Sequence, residues 1–568
     1  MRSNIRARAR GRFARRARKA DHGEVATPKP RPKLTKKKAK VACKRVRIKK
    51  TKRLERVCKP VKKKKVVQRK PVTPTPVSVA APAIVPIASA PIPAAPSPAA
   101  PPPTTPPDPG PVPPVVPPTA PGVPVYSGTF GVREAQRLLW RAGFGPKPGQ
   151  AEALAQIGLL AAVRSLTRPS GAPTLVGAPP AIEAPFAPRD SWGHDHIWLL
   201  DRFVRSDQPL VERMTLIFHD WFATSNGDVG DASLMLDQAE LLRSRALGSF
   251  TDLVRDITID PAMLIFLSGI DNRRNAINEN YAREVMELFT LGADRGAYTE
   301  TDVRELARAL TGWRADWVDP DGFRNFRYDA TRADTGSKTL WAGTAYERSG
   351  AFTYTDLCPL VLENPYHRSF FVLKLWSYFV PTPPSAATQA ALEQLYVASG
   401  RSIGQVVEAI LLHPDVYTGA PLVKPPAVYT AGLLRATGQT ITTDDWAWLG
   451  PWAGQHLFYP PNVAGWNDRA WLDTSRLMGR WLTATTAMNA DTRLPQHYDP
   501  AQTETGTQAL AAALAHLDNP ALTPESAVVL LALADQSAPT GFNTATYRAH
   551  RQNMLRQLIA ASPDFQVC

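Results

Sequence analysis

An all-α fold, a multi-helix globular domain with at most a small β-hairpin behind a disordered N-terminal region, follows from three observations. All 14 tryptophans lie between Trp140 and Trp481, which places the core well past the N-terminal region. The segments around them repeat apolar residues every three to four positions, the period of a helix buried along one stripe. Prolines are very unevenly placed and crowd into residues 71–124, which hold 22 of the chain's 55.

Taken in order, residues 1–70 carry 31 lysines and arginines against only Asp21, Glu24 and Glu55. The whole chain has a net charge of +18, so the remainder is acidic, with 37 basic against 47 acidic residues. Runs such as "LTKKKAK" and "VKKKKVVQRK" offer too little apolar surface to offset chain entropy and self-repulsion. A disordered polybasic tail is expected over 1–70. Its physical use is sequence-independent attraction to a polyanion, whether nucleic acid, anionic lipid or wall polymer. Residues 71–125 form a proline-rich extended linker, up to roughly 170 Å long at ~3.1 Å per residue. The folded domain is expected over 126–568.

No uninterrupted apolar run reaches the length of a membrane span, and no apolar segment follows the basic N-terminus as a secretory signal requires. The expectation is no membrane span and a cytoplasmic location by default, with the cell envelope as the alternative. Four cysteines make no disulfide framework, and no C-x-x-C pair suggests zinc. Cys43 and Cys58 could close a loop in an oxidising compartment. Phosphate-binding loops, dinucleotide fingerprints, G-x-S-x-G and H-E-x-x-H are absent from the sequence, so no cofactor is assigned.

Helical periodicity recurs at 131–142, 149–167, 231–247, 301–312, 366–379, 402–412, 424–437, 476–490 and 545–561. In "QPLVERMTLIFHDWF", Leu210, Met214, Ile217, Phe218 and Trp221 share one stripe while Leu216 and Phe222 make other sides apolar, so this helix should be largely buried. Short β-like runs occur near 323–328 and 339–342. Polar loops at 224–231, 268–280, 316–322 and 458–471 are long for such a scaffold, and long ordered loops are where function concentrates. In "SWGHDHIWLL", His194 and His196 stand two apart, a spacing compatible with metal ligation from an extended loop. Capping or core histidines are the commoner meaning.

The stretch "NENYAREVMELFTLG" (278–292) is the densest in functional groups. At ~100° per residue, Asn280, Arg283, Glu284 and Glu287 share one polar stripe, with Arg283 and Glu287 spaced for an i, i+4 pair. Leu291 intrudes on that stripe, so at least partial burial is expected, and a buried stripe must be internally paired. Gly292 stands at a left-handed cap, and "YTETDVRELARALTGW" opens a second helix behind Thr299 or Thr301.

These two segments, with "RAGFG" (141–145), "DTGSKT" (334–339), "KPPAVYTAGLLRATG" (424–438) and "PPNVAGW" (460–466), resemble the bacterial family called domain of unknown function 1800. The resemblance covers roughly residues 128–565 and implies a predominantly helical fold with no settled activity. Where that family commonly has His-Asn-His, this chain has His219-Asp220-Trp221. Where it often has His-Asp before "TGSKT", this chain has Ala333-Asp334. The catalytic candidates are Glu279, Glu284, Glu287, His219, Asp220 and Asp334; the binding candidates are Asn278, Asn280, Arg283, Lys338 and Trp466. Two functions remain open: a binding or assembly module tethered to an anionic polymer, or an envelope-associated hydrolase with a carboxylate/histidine or metal-assisted site.

Overall fold

The computed structural model describes residues 121–467, 470–490, 504–537 and 545–568, and the backbone of two strands nearer the N-terminus. The chain divides into two compact units, Met1–Val115 and Val116–Cys568. In the first, Val41–Arg47 pairs antiparallel with Leu54–Pro60, which sets the Cα of Cys43 opposite that of Cys58. The rest of the expected tail, and the expected linker through residue 120, fall outside the described residues.

The second unit is a stack of helices, and no described helix is long and apolar enough to cross a membrane. Its central helix, Pro209–Trp221, starts at a proline whose missing N–H costs nothing there, and every residue but Asp220 is buried. Expected helices recur within a few residues at Val132–Ala142, Ala232–Arg245, Glu300–Ala309, Pro365–Ser377, Ile403–Leu412, Pro426–Thr437, Thr474–Ala490 and Ala545–Ala561. The segment 149–167 is not one helix, because Gly158 at φ 79° breaks it into Gln150–Ile157 and Leu159–Thr167. Helices His194–Arg205, Phe250–Thr258, Ala386–Ala398, Gly506–His516 and Pro524–Gln536 add to the set.

Two hairpins decorate this scaffold. Trp313–Val318, half of which was expected to be loop, pairs with Gly322–Tyr328, held by an edge-to-face contact of Trp317 and Phe323 with centroids 5.1 Å apart. Lys338–Leu340 pairs with Arg348–Gly350.

Buried apolar residues form two cores. One gathers the 132–142, 209–221, 250–258, 300–309 and 365–412 helices. The other gathers the 194–205 and 426–437 helices with those beyond residue 446. The 209–221 helix serves both, with Met214, Ile217 and Phe218 in the first and Leu216 in the second. The 455–466 loop does likewise, placing Leu457 and Phe458 in the second core and packing Val463 on the first.

Candidate functional site

His219 and Asp220 end the 209–221 helix where these two cores meet. His219 Nε2 accepts the Phe458 N–H at 3.0 Å. Its ring lies edge-on to Trp466, centroids 5.1 Å apart. Burial, reinforced by nearby His196, pushes its pKa down to about 3, so it is neutral. Asp220 Oδ2 accepts the Tyr378 hydroxyl at 2.7 Å, and its Oδ1 accepts the Trp466 N–H at 2.8 Å. Gly465, at φ 85°, lies so close to Asp220 that a Cβ there would sit 2.7 Å from the Asp220 carbonyl oxygen and nearer still to its carboxylate. Three sequence candidates, His219, Asp220 and Trp466, thus converge as a clamp on the 455–466 loop.

The same loop meets His196, one of the two histidines noted in "SWGHDHIWLL". His194 and His196 lie in the first turn of the His194–Arg205 helix, not in an extended loop. There Asp195 Oδ1 accepts both the His196 N–H at 2.9 Å and its Nδ1–H at 2.6 Å. That bond fixes the tautomer and leaves His196 Nε2 as an acceptor without a described partner. The His196 ring lies 4.9 Å from His456 and 5.7 Å from Tyr459, with His456 and Tyr459 stacked at 4.4 Å. His456 Nε2 also lacks a described partner, and burial, with His196 second, lowers its pKa to about 4. Asn226 Nδ2 donates to the Tyr459 hydroxyl at 3.2 Å. The cavity that His196 lines is about 20 Å³, room for a single water molecule. No group of three or more potential metal ligands occurs among the described residues. A sequence signal for the pair existed in "GHDHIW": an acidic residue and two histidines directly after a glycine, opening an apolar run.

The 278–292 stretch forms a second centre, and its geometry departs from a uniform helix. Asn280–Glu284 is α-helical, but Val285–Thr290 is a π-turn, in which Leu291 N–H reaches back to the Met286 carbonyl at 3.0 Å. The extra residue per turn rotates Glu287 off the stripe, so the Arg283–Glu287 pair is replaced. Arg283 bonds Glu279 at 3.2 Å and the neighbouring helix's Glu300 at 2.9 and 2.7 Å. Arg283 keeps 31% side-chain exposure and Glu300 79%. Glu284 and Glu287 are half-buried and have no ion-pair partner among the described residues. Burial, with Glu287 second, raises the Glu284 carboxyl to about 7; burial also raises Glu287. Leu291 is fully buried, and Gly292 takes the expected left-handed φ of 91°. Asn278 Oδ1 accepts the Asn280 N–H, and its own N–H donates to Asn272 Oδ1, each at 3.0 Å; Asn280 is exposed.

The third group latches the 334–338 loop to the helix behind Thr299. Asp334 Oδ2 accepts Arg308 Nε at 2.8 Å, and this bond holds its carboxyl below the ordinary range. Lys338, buried, donates Nζ to the carbonyls of Asp334 at 2.6 Å and Gly336 at 2.9 Å. Glu300 and Arg308 stand on one helix, so the second and third groups share a wall. No hydrogen bond or ion pair among the described residues joins Glu284 or Asp334 to His219. The nearest link is Lys374, half-buried, whose Nζ lies 4.6 Å over the Trp221 ring and donates to the Leu288 carbonyl at 2.9 Å. Burial lowers its pKa to about 8 against the opposing charge of Asp220.

A family model described as "Protein of unknown function (DUF1800)" matches residues 137–567. No curated protein and no solved structure matches the chain.

Proposed function

Because the chain belongs to this family of proteins of unknown function, we propose that its folded unit is a binding or assembly module, brought to an anionic polymer by the basic residues 1–70. One observation carries the module half of this reading: three of the catalytic candidates, His219, Asp220 and Asp334, are already committed inside the protein. The His219 lone pair is taken by a backbone N–H, both Asp220 oxygens by the loop and Tyr378, and Asp334 by Arg308. A catalytic base needs a free lone pair facing a substrate-sized space, and the His196 cavity is an order of magnitude too small. The tether half rests on charge, since 31 basic residues in the first 70 release counterions on any polyanion.

The test compares full-length protein with a chain beginning at residue 116. Both should unfold at the same temperature, since the tail supplies no apolar stripe to the core. Only the full-length protein should bind double-stranded DNA or phosphatidylserine vesicles, with affinity falling ~1,000-fold between about 50 and 200 mM salt. Equal binding by the shortened chain moves the polyanion site into the folded unit and ends the tether reading.

A hydrolase is favoured by one feature alone, the half-buried Glu284 carboxyl raised to about 7 beside Glu287. Such a group suits general acid–base catalysis at neutral pH, and a π-turn is a common companion of functional sites. An ester, glycoside or peptide hydrolysis that survives Glu284→Gln unchanged removes this second reading.

A further inference from the structure

A cavity of about 510 Å³ opens beside the 132–142 helix, away from all three groups described above. Arg133, Arg137 and Trp140 lie along one side of that helix at i, i+4 and i+7, and all three line the space. Lys424 and Phe565 form its floor, and the 517–524 loop its far wall. The volume is that of a small-molecule site.

Its charges are unusual for a surface hollow. Arg133 is exposed and has no hydrogen-bond or ion-pair partner among the described residues. Arg137, one turn on, spends Nη2 on the Gly419 and Ala420 carbonyls and leaves Nε without a described partner. Two arginines so placed repel each other. Lys424 is buried, with Nζ 3.6 Å over the Trp140 ring, 4.1 Å from the Phe565 centroid, and 2.8 Å from the Phe565 carbonyl. Behind it Arg141, also buried, donates its Nη1 and Nη2 to the backbone oxygens of Phe379, Asp415, Ala420 and Cys568, while its Nε has no described partner. These cations are held by backbone oxygens and rings, and Cys568, which also lines the cavity, supplies the main charge opposing theirs. The acidic groups near them are Glu134, Cys568, Asp518 and Asp564. Asp518 receives Gln136 Nε2 at 3.2 Å, and Asp564 receives the Thr523 N–H at 3.2 Å, so both are engaged on the far wall.

We propose that this cavity binds a small amphiphilic anion, a single carboxylate, sulfonate or phosphate head on a flat apolar body. The head would lie between Arg133 and Arg137, where it relieves their repulsion and meets fork-like donors. The body would rest on Trp140 and Phe565, whose rings, with Leu522 and Val567, make the lining apolar. The two halves add: a purely polar anion leaves the rings wet, and an uncharged aromatic binds only through the rings and leaves the arginines unpaired.

The test uses the full chain and two fluorescent probes, the anion 8-anilinonaphthalene-1-sulfonate and its uncharged analogue N-phenyl-1-naphthylamine. Because the basic tail also attracts anions, the comparison is between variants that all retain it. Arg133→Glu changes only an exposed, unpaired charge, and Ala521→Trp fills the cavity from its loop wall; circular dichroism verifies that each folds. The anionic probe is expected to show a saturable site weakened about tenfold or more by either substitution. The neutral probe should respond to Ala521→Trp and not to Arg133→Glu. No saturable anionic site, or an affinity within about twofold of the parent in both variants, overturns the proposal. So does sensitivity to only one substitution: Ala521→Trp alone would mean an apolar hollow, Arg133→Glu alone a surface charge effect.

Discussion

Replacing Glu284 by Gln should stabilise the protein above neutral pH and leave it unchanged in acid. The carboxyl rises from the ordinary 4.5 to about 7 because burial and Glu287 disfavour its charge, while Arg283, engaged with Glu279 and Glu300, opposes only partly. A raised carboxyl costs nothing below pH 4.5, where folded and unfolded chains are both protonated. Between 4.5 and about 7 the unfolded chain ionises and the folded one does not, so stability falls with rising pH; above about 7 the penalty is constant. The full shift corresponds to roughly 3 kcal/mol at ~1.4 kcal/mol per pH unit, and solvent screening at this half-buried position trims it to about 1–2 kcal/mol. Guanidinium denaturation of parent and variant at pH 4 and pH 8 isolates the effect, because every other titrating group cancels in the difference. The expected result is coincident midpoints at pH 4 and a variant more stable by about 1–2 kcal/mol at pH 8. A variant less stable than the parent at pH 8 would mean that Glu284 is paired, as an unbroken helical stripe would require, and would refute the argument from the π-turn.

Arg283→Ala should cost no more than about 1 kcal/mol, and less at high salt, because its partner Glu300 is 79% exposed; denaturation at two ionic strengths checks this. Gly465→Ala should cost about 2–3 kcal/mol, since a Cβ there collides with Asp220 and the residue sits at φ 85°. A thermal melt reads the loss, and an unchanged melting temperature would mean the 455–466 loop does not depend on its clamp.

Helix positions were legible wherever an apolar stripe ran unbroken, as at 209–221, 403–412 and 426–437. They were lost where the stripe was interrupted or composition was bland: Gly158 splits an apparently continuous helix, and the alanine-rich 506–516 segment carries little moment. Trp313–Val318 was hidden because its strand character comes from pairing with 322–328, a tertiary fact. The clamp of His219, Asp220 and Trp466 joins residues far apart in sequence, so spacing gave no hint of it; the resemblance of motifs marked the residues but not their meeting. Asp195 and His196 were visible as residues and illegible as a pair, since only the helix start brings the imidazole back onto the carboxylate. The π-turn left no mark in the pattern, and it takes Glu287 out of its expected pair with Arg283.

The clamp also orders events in time. The bond from Phe458 N–H to His219 spans 239 residues and that from Trp466 N–H to Asp220 spans 246. At ~5–20 residues per second, a ribosome takes roughly 10–50 s to deliver the second partner after the first. Throughout that interval the 209–221 helix, apolar on nearly every side, lacks the loop that caps one end of it. Closing so large a loop adds little to the equilibrium cost, because that cost grows only with the logarithm of length, but it delays the step at which both cores become locked. Nascent chains of this protein therefore pass through a prolonged stage with an adhesive half-built interior, and the 455–466 loop is the segment whose arrival ends it.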